Sequence, residues 1–239
     1  MKAMILAAGF GTRLKPFTDS HPKALFPVNG KPLLQRNVEY LQQYGITDVV
    51  VNVHHFAEQI VAAVEDAGGW GSRITISDET DAILETGGGL KKAAPLLNNG
   101  EAFVLMNADI LTRLHLGNMI QQHRQQQPLA TLAVAQRNSS RHFLLNHDLF
   151  LCGWENTATG EQKMPRAEHN GVQPFAFSGI HIIEPAIFPL IQREGKFSMV
   201  DVYLDLCGTH AIRGFDHTGE RVMDVGKPGA LEEAEKYFP

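Results

Sequence analysis

The sequence predicts an α/β protein with a mostly parallel sheet, helices on both faces and a small antiparallel region. Uncharged apolar runs, typical of strands buried on both faces, occur at residues 3–8, 49–51 and 102–106. Helical periodicity fills residues 32–44 and 57–67, between the first strands. Strands that alternate with helices are joined by right-handed crossovers, so the order predicts a parallel sheet in a three-layer sandwich.

Length, composition and charge limit the classes of protein to which this sequence can belong. The 239 residues suit one domain spanning 1–239, and 44% hydrophobic with 20% charged residues predicts a sizeable core. The net charge of −5 argues against a nucleic-acid partner. No apolar run reaches 18 residues, so we expect no membrane partner. Met1 and Lys2 lead directly into the first strand, which favours a cytoplasmic location; oligomeric state stays open.

Cysteine and histidine indicate no metal centre of their own. Cys152 and Cys207 are too few for a disulfide framework and lack metal-ligand spacing, so we expect reduced packing residues. His54 and His55 are the only adjacent histidines, and neighbours on a strand point to opposite sides. We therefore expect no zinc site there.

A glycine turn follows the first strand directly. Gly9 and Gly11 allow the backbone to turn with open amides, which suits a phosphate-bearing ligand. Arg13 and Lys23 then supply cations close to the turn. The dinucleotide fingerprint fails because Leu14 stands where its third glycine belongs, and no P-loop motif occurs. Strand, turn and cations together predict a nucleoside triphosphate site.

The pattern L-A-A-G-x-G-T-R-L-x-P-x-T, followed by P-K-A-L-x-P-V, occupies residues 6–28. It resembles the signature of sugar nucleotidyltransferases, the nucleoside-diphosphate-sugar pyrophosphorylases. The resemblance implies a Rossmann-like fold and transfer of a nucleoside monophosphate from a triphosphate to a sugar 1-phosphate. It makes Arg13 and Lys23 catalytic, and it implies nucleotide contacts from Ala7, Ala8, Gly9, Gly11 and Thr12.

A second glycine-rich stretch, residues 85–90, precedes a predicted helix at 91–97. Three successive glycines can form a flexible loop, or they can let a flat ligand lie against bare backbone. The resemblance implies a loop that reads the nucleobase, with contacts from Thr86 and Gly88 and with Glu85 nearby.

The strand at 102–106 ends in Asn107-Ala108-Asp109. Ligands of open α/β sheets bind beyond the carboxyl ends of the strands, so Asp109 is placed to face one; capping the next helix is the alternative. The resemblance implies that Asp109 holds Mg²⁺ beside the α-phosphate and that Asn107 contacts substrate. It also makes Asp224, in the motif D-x-G-x-P, the second Mg²⁺ ligand. Pro228 of the same motif is expected to open a terminal helix.

The middle of the chain predicts a helix at 114–127, a strand at 130–135 and an irregular antiparallel region from 138 to 171. The resemblance implies that this region surrounds the sugar phosphate. Many relatives carry a Glu-Lys-Pro motif there. The sequence around Lys163, Gln-Lys-Met-Pro, departs from that motif.

The last segments offer further sugar contacts. Gly179 lies in a strand at 175–183 that resembles the family's F-x-G-I motif. The resemblance implies that a glycine there lets the sugar approach the backbone. The alternative is a glycine in a β-bulge. Helices are expected from 184 to 191 and from 200 to 206. Asp201 lies on the second, either on a solvated face or within reach of the sugar. No hexapeptide repeats follow, so we expect a free-standing catalytic domain.

The proposed chemistry needs no general base, because a sugar phosphate oxygen is already anionic near neutral pH. Residues 51–55 and 84–89 resemble uridylyltransferases that act on N-acetylmuramate 1-phosphate, which favours UTP. Guanylyltransferases of mannose or heptose 1-phosphate are the alternative. Two further hypotheses are a catalytically inactive regulator that binds nucleotide sugars and a cytidylyltransferase with a non-sugar acceptor.

Overall fold

The computed structural model describes residues 1–226 and 229–239. The strands are β1 (Ala3–Leu6), β2 (Pro27–Val28), β3 (Lys31–Pro32), β4 (Asp48–Val53), β5 (Arg73–Asp78), β6 (Phe103–Asn107), β7 (Ile110–Thr112), β8 (Ala130–Ala135), β9 (Arg141–Leu145), β10 (Leu151–Asn156), β11 (Glu161–Lys163), β12 (Gln173–Ile183), β13 (Ile212–Asp216) and β14 (Val222–Asp224). The α-helices are α1 (Leu33–Gln42), α2 (Ala57–Asp66), α3 (Glu85–Leu97), α4 (Leu116–Gln126), α5 (Met199–Leu206) and α6 (Ala230–Tyr237).

The main sheet has a parallel half and an antiparallel half. Strands β6, β1, β4 and β5 pair in parallel in that order, as the alternation of strands and helices predicts. Strand β12 joins the halves, because it pairs antiparallel with β6, β8 and β9 along its length. Beyond β9 lie β10 and β11, which form the predicted antiparallel region. Since β8 and β6 both run antiparallel to β12, their carboxyl ends lie at the same edge.

Both faces of the sheet are covered, which explains the uncharged strand runs. In β1, Ile5 packs into one core with residues of α1 and α4, whereas Met4 packs into a second core with residues of α3 and α5. Both side chains are fully buried. Burial of a side chain of this size stabilises the folded state by roughly 1.5–3 kcal/mol. Each of these strand positions therefore contributes to stability, through one core or the other.

The expected glycine loop is instead part of a helix. Helix α3 begins at Glu85 and contains Gly87, Gly88 and Gly89, all buried. A Cβ on Gly87 would lie 2.5 Å from the Phe197 ring, and one on Gly88 would lie 2.3 Å from the carbonyl oxygen of Gly195. The backbone N–H groups of Gly87 and Gly88 donate to the Phe197 carbonyl at 2.9 and 3.2 Å. The glycines therefore provide a bare helix face against which residues 195–197 pack.

Other segments differ in detail from the sequence-based expectation. The helix expected at 184–191 is a 3₁₀ helix, Pro185–Leu190, which contains prolines that cannot donate backbone hydrogen bonds. Cys152 and Cys207 are free and buried, as expected. Pro228, expected to open the terminal helix, lies outside the described residues. Within the described ranges, no helix combines the length and apolarity needed to traverse a bilayer.

We expect Gly88→Ala to lower the free energy of unfolding by about 1–3 kcal/mol, because the added methyl group would overlap a backbone carbonyl. In an open helix the same change would stabilise the protein by about 1 kcal/mol. Urea unfolding measures the difference. Lys92→Ala, on the exposed side of α3, is the matched control and should change stability by less than about 0.5 kcal/mol. A Gly88→Ala variant as stable as wild type would contradict the packing argument.

Candidate active site

The turn after β1 is packed directly against the segment that carries Lys23. Gly11 has a φ of 63°, and a Cβ there would lie 2.7 Å from Lys23 Cβ and 2.9 Å from the Thr18 methyl carbon. The Thr18 hydroxyl donates to the Gly11 carbonyl at 3.0 Å. Glycine at this position therefore permits both the left-handed turn and the close approach of Lys23.

A cavity of about 520 Å³ opens over this turn. Its walls come from the turn, the end of β6, the first residues of α3 and residues just before α5. Most residues predicted to bind nucleotide line it: Ala7, Ala8, Gly9, Gly11, Thr12, Arg13, Lys23, Glu85 and Thr86.

A second cavity, of about 720 Å³, lies between the turn and the antiparallel region. It is lined by the predicted residues Gly179 and Asp224 and by residues of β9, β10 and β12. Arg13, Asn107 and Asp109 line both cavities. We call the first the nucleotide-side cavity and the second the sugar-side cavity. Ligands in the two would meet at the shared residues.

Pairing of β14 with β7 brings the two predicted carboxylates to one place. Asp224 lies opposite Ile110 in this antiparallel pair, and the Val225 N–H donates to the Asp109 carbonyl at 2.9 Å. The Gly226 N–H donates to Asp224 Oδ1 at 2.9 Å, which holds the carboxylate in place. Asp109 and Asp224 therefore line the same cavity although they are 115 positions apart in the sequence.

Each carboxylate has a cationic partner. Lys23 Nζ forms a salt bridge with Asp109 Oδ2, and the two side chains are only 12% and 19% exposed. Arg13 Nη1 lies 3.6 Å from Asp224 Oδ2, in a more exposed pair. Partial burial lowers the effective dielectric constant, so the Lys23 pair interacts more strongly than the Arg13 pair.

The oxygen donors that line the sugar-side cavity fit Mg²⁺. Among the described residues, no group of three or more His, Cys, Asp or Glu side chains is arranged to hold a metal. Asp109, Asp224 and the Asn107 amide offer hard oxygen ligands. Mg²⁺ is usually held by one or two carboxylates together with waters and substrate phosphates, so two carboxylates suffice for it.

Gly179 forms a bulge where the strand passes closest to this wall. Its φ is 73°, and the pairing of β12 with β8 shifts register between Phe177 and His181. A Cβ on Gly179 would lie 2.9 Å from both Asn107 Nδ2 and Ile110 Cγ1. The glycine is therefore a bulge glycine, the alternative considered from the sequence, and it also lines the sugar-side cavity. A contact between Gly179 and the sugar stays a prediction.

Two predicted contacts need correction. Gly88 does not reach the nucleotide-side cavity, because it is buried in α3 against Gly195. Asp201 lies on neither cavity wall; its carboxylate accepts from the Ser198 N–H at 3.4 Å and from its hydroxyl at 2.7 Å. The Ser198 hydroxyl accepts from the Asp201 N–H in return, so Asp201 completes the capping box of α5.

Thr86 serves the cavity wall and the neighbouring helix together. Its hydroxyl oxygen accepts a hydrogen bond from the N–H of Met199, the first residue of α5, at 2.9 Å. The Phe197 N–H also donates to the Leu84 carbonyl at 3.1 Å. The first turn of α3 is therefore bonded to the first turn of α5.

Sequence reasoning missed a buried polar pair beneath the turn. Asn52 accepts from the Ala7 N–H at 2.7 Å and donates from Nδ2 to Glu79 Oε1 at 2.8 Å. Glu79 is 1% exposed, and desolvation by burial raises the pKa of its carboxyl group. Its Oε2 has no hydrogen-bond partner among the described residues. The signal was present, since each residue follows the apolar part of a predicted strand.

Two arginines of the sugar-side cavity were also missed. Arg137 follows β8, at the same sheet edge as Asp109, and its guanidinium donates to the Phe177 carbonyl at 2.7 Å. Burial lowers the pKa of Arg137, and the charge of Asp224 opposes that shift. Arg141 begins β9 and lines the same cavity. By contrast, Lys163 lines neither cavity, because it is exposed and pairs with Glu161 at 3.2 Å.

Comparison with known proteins identifies the class. The Nucleotidyl transferase family model matches residues 2–147, and the chain belongs to this family. The structure of HddC from Yersinia pseudotuberculosis complexed with GMP-PN superposes with a TM-score of 0.79 and 23% identity, and the match covers 100% of this chain and 99% of that one. The predicted family and the Rossmann-like α/β fold are thereby confirmed.

Among relatives, two N-acetylmuramate alpha-1-phosphate uridylyltransferases match over nearly their whole length. The protein from Neisseria meningitidis serogroup B is 32% identical, with 98% of this chain and 97% of that protein covered. The one from Caulobacter vibrioides is 34% identical, with 98% and 95% covered. A probable mannose-1-phosphate guanylyltransferase from Oryza sativa subsp. japonica is 27% identical, and the match covers 95% of this chain and 62% of that protein.

The pH dependence of the stability of a Glu79→Gln variant tests whether the buried Glu79 carboxyl group has a raised pKa. A raised pKa means that the folded protein binds this proton more tightly than the unfolded chain does. Wild-type stability should therefore fall as pH rises from about 4.3, the ordinary glutamate value, to the raised pKa, and stay lowered above it. Glutamine keeps the bond from Asn52 and cannot ionise, so the variant should gain on wild type over that range.

Urea unfolding near pH 4 and near pH 8 measures this gain. Glu79→Ala is the control, because it removes the Asn52 bond and should destabilise the protein at both pH values. A stability difference between Glu79→Gln and wild type that is equal at the two pH values would show that Glu79 does not carry the raised pKa.

Proposed function

We propose that this protein transfers a nucleoside monophosphate from a nucleoside triphosphate, with UTP favoured, to a sugar 1-phosphate such as N-acetylmuramate 1-phosphate. The products are a nucleotide sugar and pyrophosphate. One observation carries the proposal: two cavities that suit two substrates share a wall of Arg13, Asn107 and Asp109. We treat residues 1–239 as one catalytic domain, because Arg13 near the start of the chain and Asp224 near its end line the same sugar-side cavity.

The side chains around the shared wall suit phosphoryl transfer between two anions. A phosphate oxygen of the sugar 1-phosphate would bond to the α-phosphorus while the bond to the leaving pyrophosphate breaks. Because the attacking oxygen is already anionic, no general base is required. The protein must instead hold two anions in line and stabilise the charge that grows on the leaving group. Lys23 at the turn suits the reacting phosphates, and Arg13 suits the pyrophosphate side.

Mg²⁺ belongs to the proposal. Asp109 and Asp224 would hold the ion, which supplies positive charge to the reacting phosphates when bound. Lys23 and Arg13 contact these carboxylates directly, so they balance the negative charge that the site would otherwise concentrate.

The choice of UTP rests on the two uridylyltransferase relatives, which match this chain over nearly their full length. Their substrate also leads us to propose a cytoplasmic role in supplying cell-wall sugars. A second candidate is GTP-dependent transfer to mannose or heptose 1-phosphate. It is favoured by the mannose-1-phosphate guanylyltransferase relatives and by the fold shared with HddC in complex with GMP-PN.

A substrate panel tests the proposal. The purified protein is incubated with Mg²⁺, each of the common nucleoside triphosphates and a set of sugar 1-phosphates, and pyrophosphate release is measured. We expect release with UTP and N-acetylmuramate 1-phosphate. Release only with GTP and mannose or heptose 1-phosphate would establish the second candidate, and no release with any pair would refute both.

We expect Arg13→Ala, Lys23→Ala and Asp109→Ala each to lower kcat by a factor of about 10²–10³, because each removes one preorganised charge from the nucleotide-side cavity. Steady-state pyrophosphate release measures the loss, and circular dichroism checks the fold. Lys15→Ala is the matched control, since Lys15 is exposed, pairs with Asp19 at 2.9 Å and lines neither cavity. A variant with near-wild-type turnover would remove its residue from the mechanism.

Removal of the metal should abolish turnover, and added Mg²⁺ should restore it. Asp224→Asn should raise the Mg²⁺ concentration required for half-maximal rate, because an amide oxygen is a weaker ligand for a hard cation than a carboxylate. A Mg²⁺ titration of the rate measures this shift. Asp216→Asn is a control, because Asp216 lies on β13 and bonds to Thr218 outside both cavities. Full activity in excess chelator would refute the metal requirement.

A further inference from the structure

The bulge in β12 lies where this strand changes its neighbour. Residues 180–183 pair with β6, and residues 173–175 pair with β9. Between Phe177 and His181, four positions of β12 match only two of β8, so the ladder of backbone hydrogen bonds is interrupted there. Phe177 and Gly179 line the sugar-side cavity. Contacts other than the ladder must therefore fix a bulge that shapes this cavity.

A buried hydrogen bond supports the bulge from outside the cavity. Ser178 is fully buried, and its hydroxyl oxygen lies 2.8 Å from Nε2 of His217, which is 4% exposed. Both residues lie outside the two cavities, whereas Phe177 and Gly179, on either side of Ser178, line the sugar-side cavity. Because burial lowers the pKa of His217, its ring is neutral near neutral pH. The two side chains therefore form an uncharged pair.

The histidine belongs to the connection that leads to Asp224. His217 directly follows β13, and the next strand, β14, carries Asp224. Its backbone is fixed separately, because its N–H donates to the Val134 carbonyl of β8 at 3.0 Å and its carbonyl accepts from the Glu220 N–H at 2.9 Å. The imidazole thus extends from a bonded backbone to the bulge. The bond to Ser178 joins two segments that each contribute to the wall of the sugar-side cavity.

The bulge in turn contacts polar groups of that wall. A Cβ on Gly179 would lie 2.9 Å from Asn107 Nδ2, so the bulge backbone packs directly against this amide. The Phe177 carbonyl accepts from the Arg137 guanidinium at 2.7 Å. A displacement of the bulge would therefore move an amide and a guanidinium group of the sugar-side cavity. The nucleotide-side cavity is built mainly from other segments, namely the turn after β1, the start of α3 and residues before α5.

We infer that Ser178 and His217 are positioning residues of the sugar-side cavity, because their hydrogen bond holds the β12 bulge, and with it Arg137, in place for the sugar 1-phosphate. The inference rests on the proposed function and deepens it. Neither residue contacts the substrate. Side chains that do so must be held to within about 0.5 Å by supporting bonds and packing. The pair therefore acts on binding of the sugar 1-phosphate and not on binding of the nucleotide.

Single and double substitutions test this inference. Ser178→Ala and His217→Phe each remove the bond without removing a charge. The substrates are UTP and N-acetylmuramate 1-phosphate, or GTP and mannose 1-phosphate if the substrate panel selects that pair. We expect each variant to raise KM for the sugar 1-phosphate by about 5–10-fold and KM for the nucleotide by less than about twofold, measured by pyrophosphate release. The double variant should be no worse than either single variant, since both changes remove the same bond.

A conservative variant and a matched control separate positioning from general stability. In His217→Gln the amide nitrogen can replace Nε2, so KM for the sugar 1-phosphate should stay within about twofold of the wild-type value. Thr131→Val removes a bond of the same kind outside both cavities, because the Thr131 hydroxyl lies 2.7 Å from Nδ1 of the buried His123. This control should lower the melting temperature about as much as Ser178→Ala does and leave both KM values unchanged.

Equal rises in the two KM values would overturn the inference, as would an unchanged KM for the sugar 1-phosphate in both single variants or additive effects in the double variant. Absence of pyrophosphate release with every substrate pair would overturn the proposed function instead. Amide hydrogen exchange then decides whether the pair holds the bulge. Faster exchange of residues 176–180 in Ser178→Ala than in Thr131→Val would support the inference, and equal exchange would refute it.

Discussion

The pairing of a short C-terminal strand with a short central strand is the constraint on which the site depends. Strands β14 and β7 form a separate two-stranded sheet, and their register places Asp224 beside Ile110, one residue after Asp109. A shift of this register by one residue would turn the Asp224 side chain to the opposite face. The Val225 N–H reinforces the register through its bond to the Asp109 carbonyl, and the Gly226 N–H holds the Asp224 carboxylate locally. Two carboxylates in one cavity thus depend on a three-residue strand.

Close approach of backbone segments is the second condition for the site, and glycine provides it. At Gly11 a side chain would collide with Lys23, and at Gly179 it would collide with Asn107. Both residues also occupy the left-handed region, where other residues are strained. The first glycine sets the position of a cation, and the second sets that of an amide on the shared wall. Absence of a side chain therefore determines where the functional side chains lie.

Local patterns predicted the parts of the structure that local interactions decide. The buried β1 strand and the turn at Gly9 followed from composition and spacing, and the cavity lies over them. The proximity of Asp109 and Asp224 came from family resemblance alone, because a pairing across more than a hundred residues leaves no local pattern. Helix α3 was misread at its glycines, since packing by residues 195–197 overrides their low helix propensity.

Side-chain roles were harder to predict than backbone elements. The spacing of Ser198 and Asp201 fits a capping box, so the capping role of Asp201 was readable from the sequence. Arg137 and Arg141 were not, because an arginine in an irregular polar segment looks the same whether it faces solvent or a cavity. Only the pairing of the strands shows that both arginines line the sugar-side cavity.

The hydrogen bond between Thr86 and Met199 has a mechanical consequence for a protein with two substrates. Thr86 lies on the wall of the nucleotide-side cavity, and Val200, next to Met199, lies on the wall of the sugar-side cavity. The bare glycine face of α3 keeps residues 195–197 seated between them. A ligand that displaced Thr86 in the nucleotide-side cavity would therefore also disturb the bond that holds the first turn of α5, beside Val200 in the sugar-side cavity.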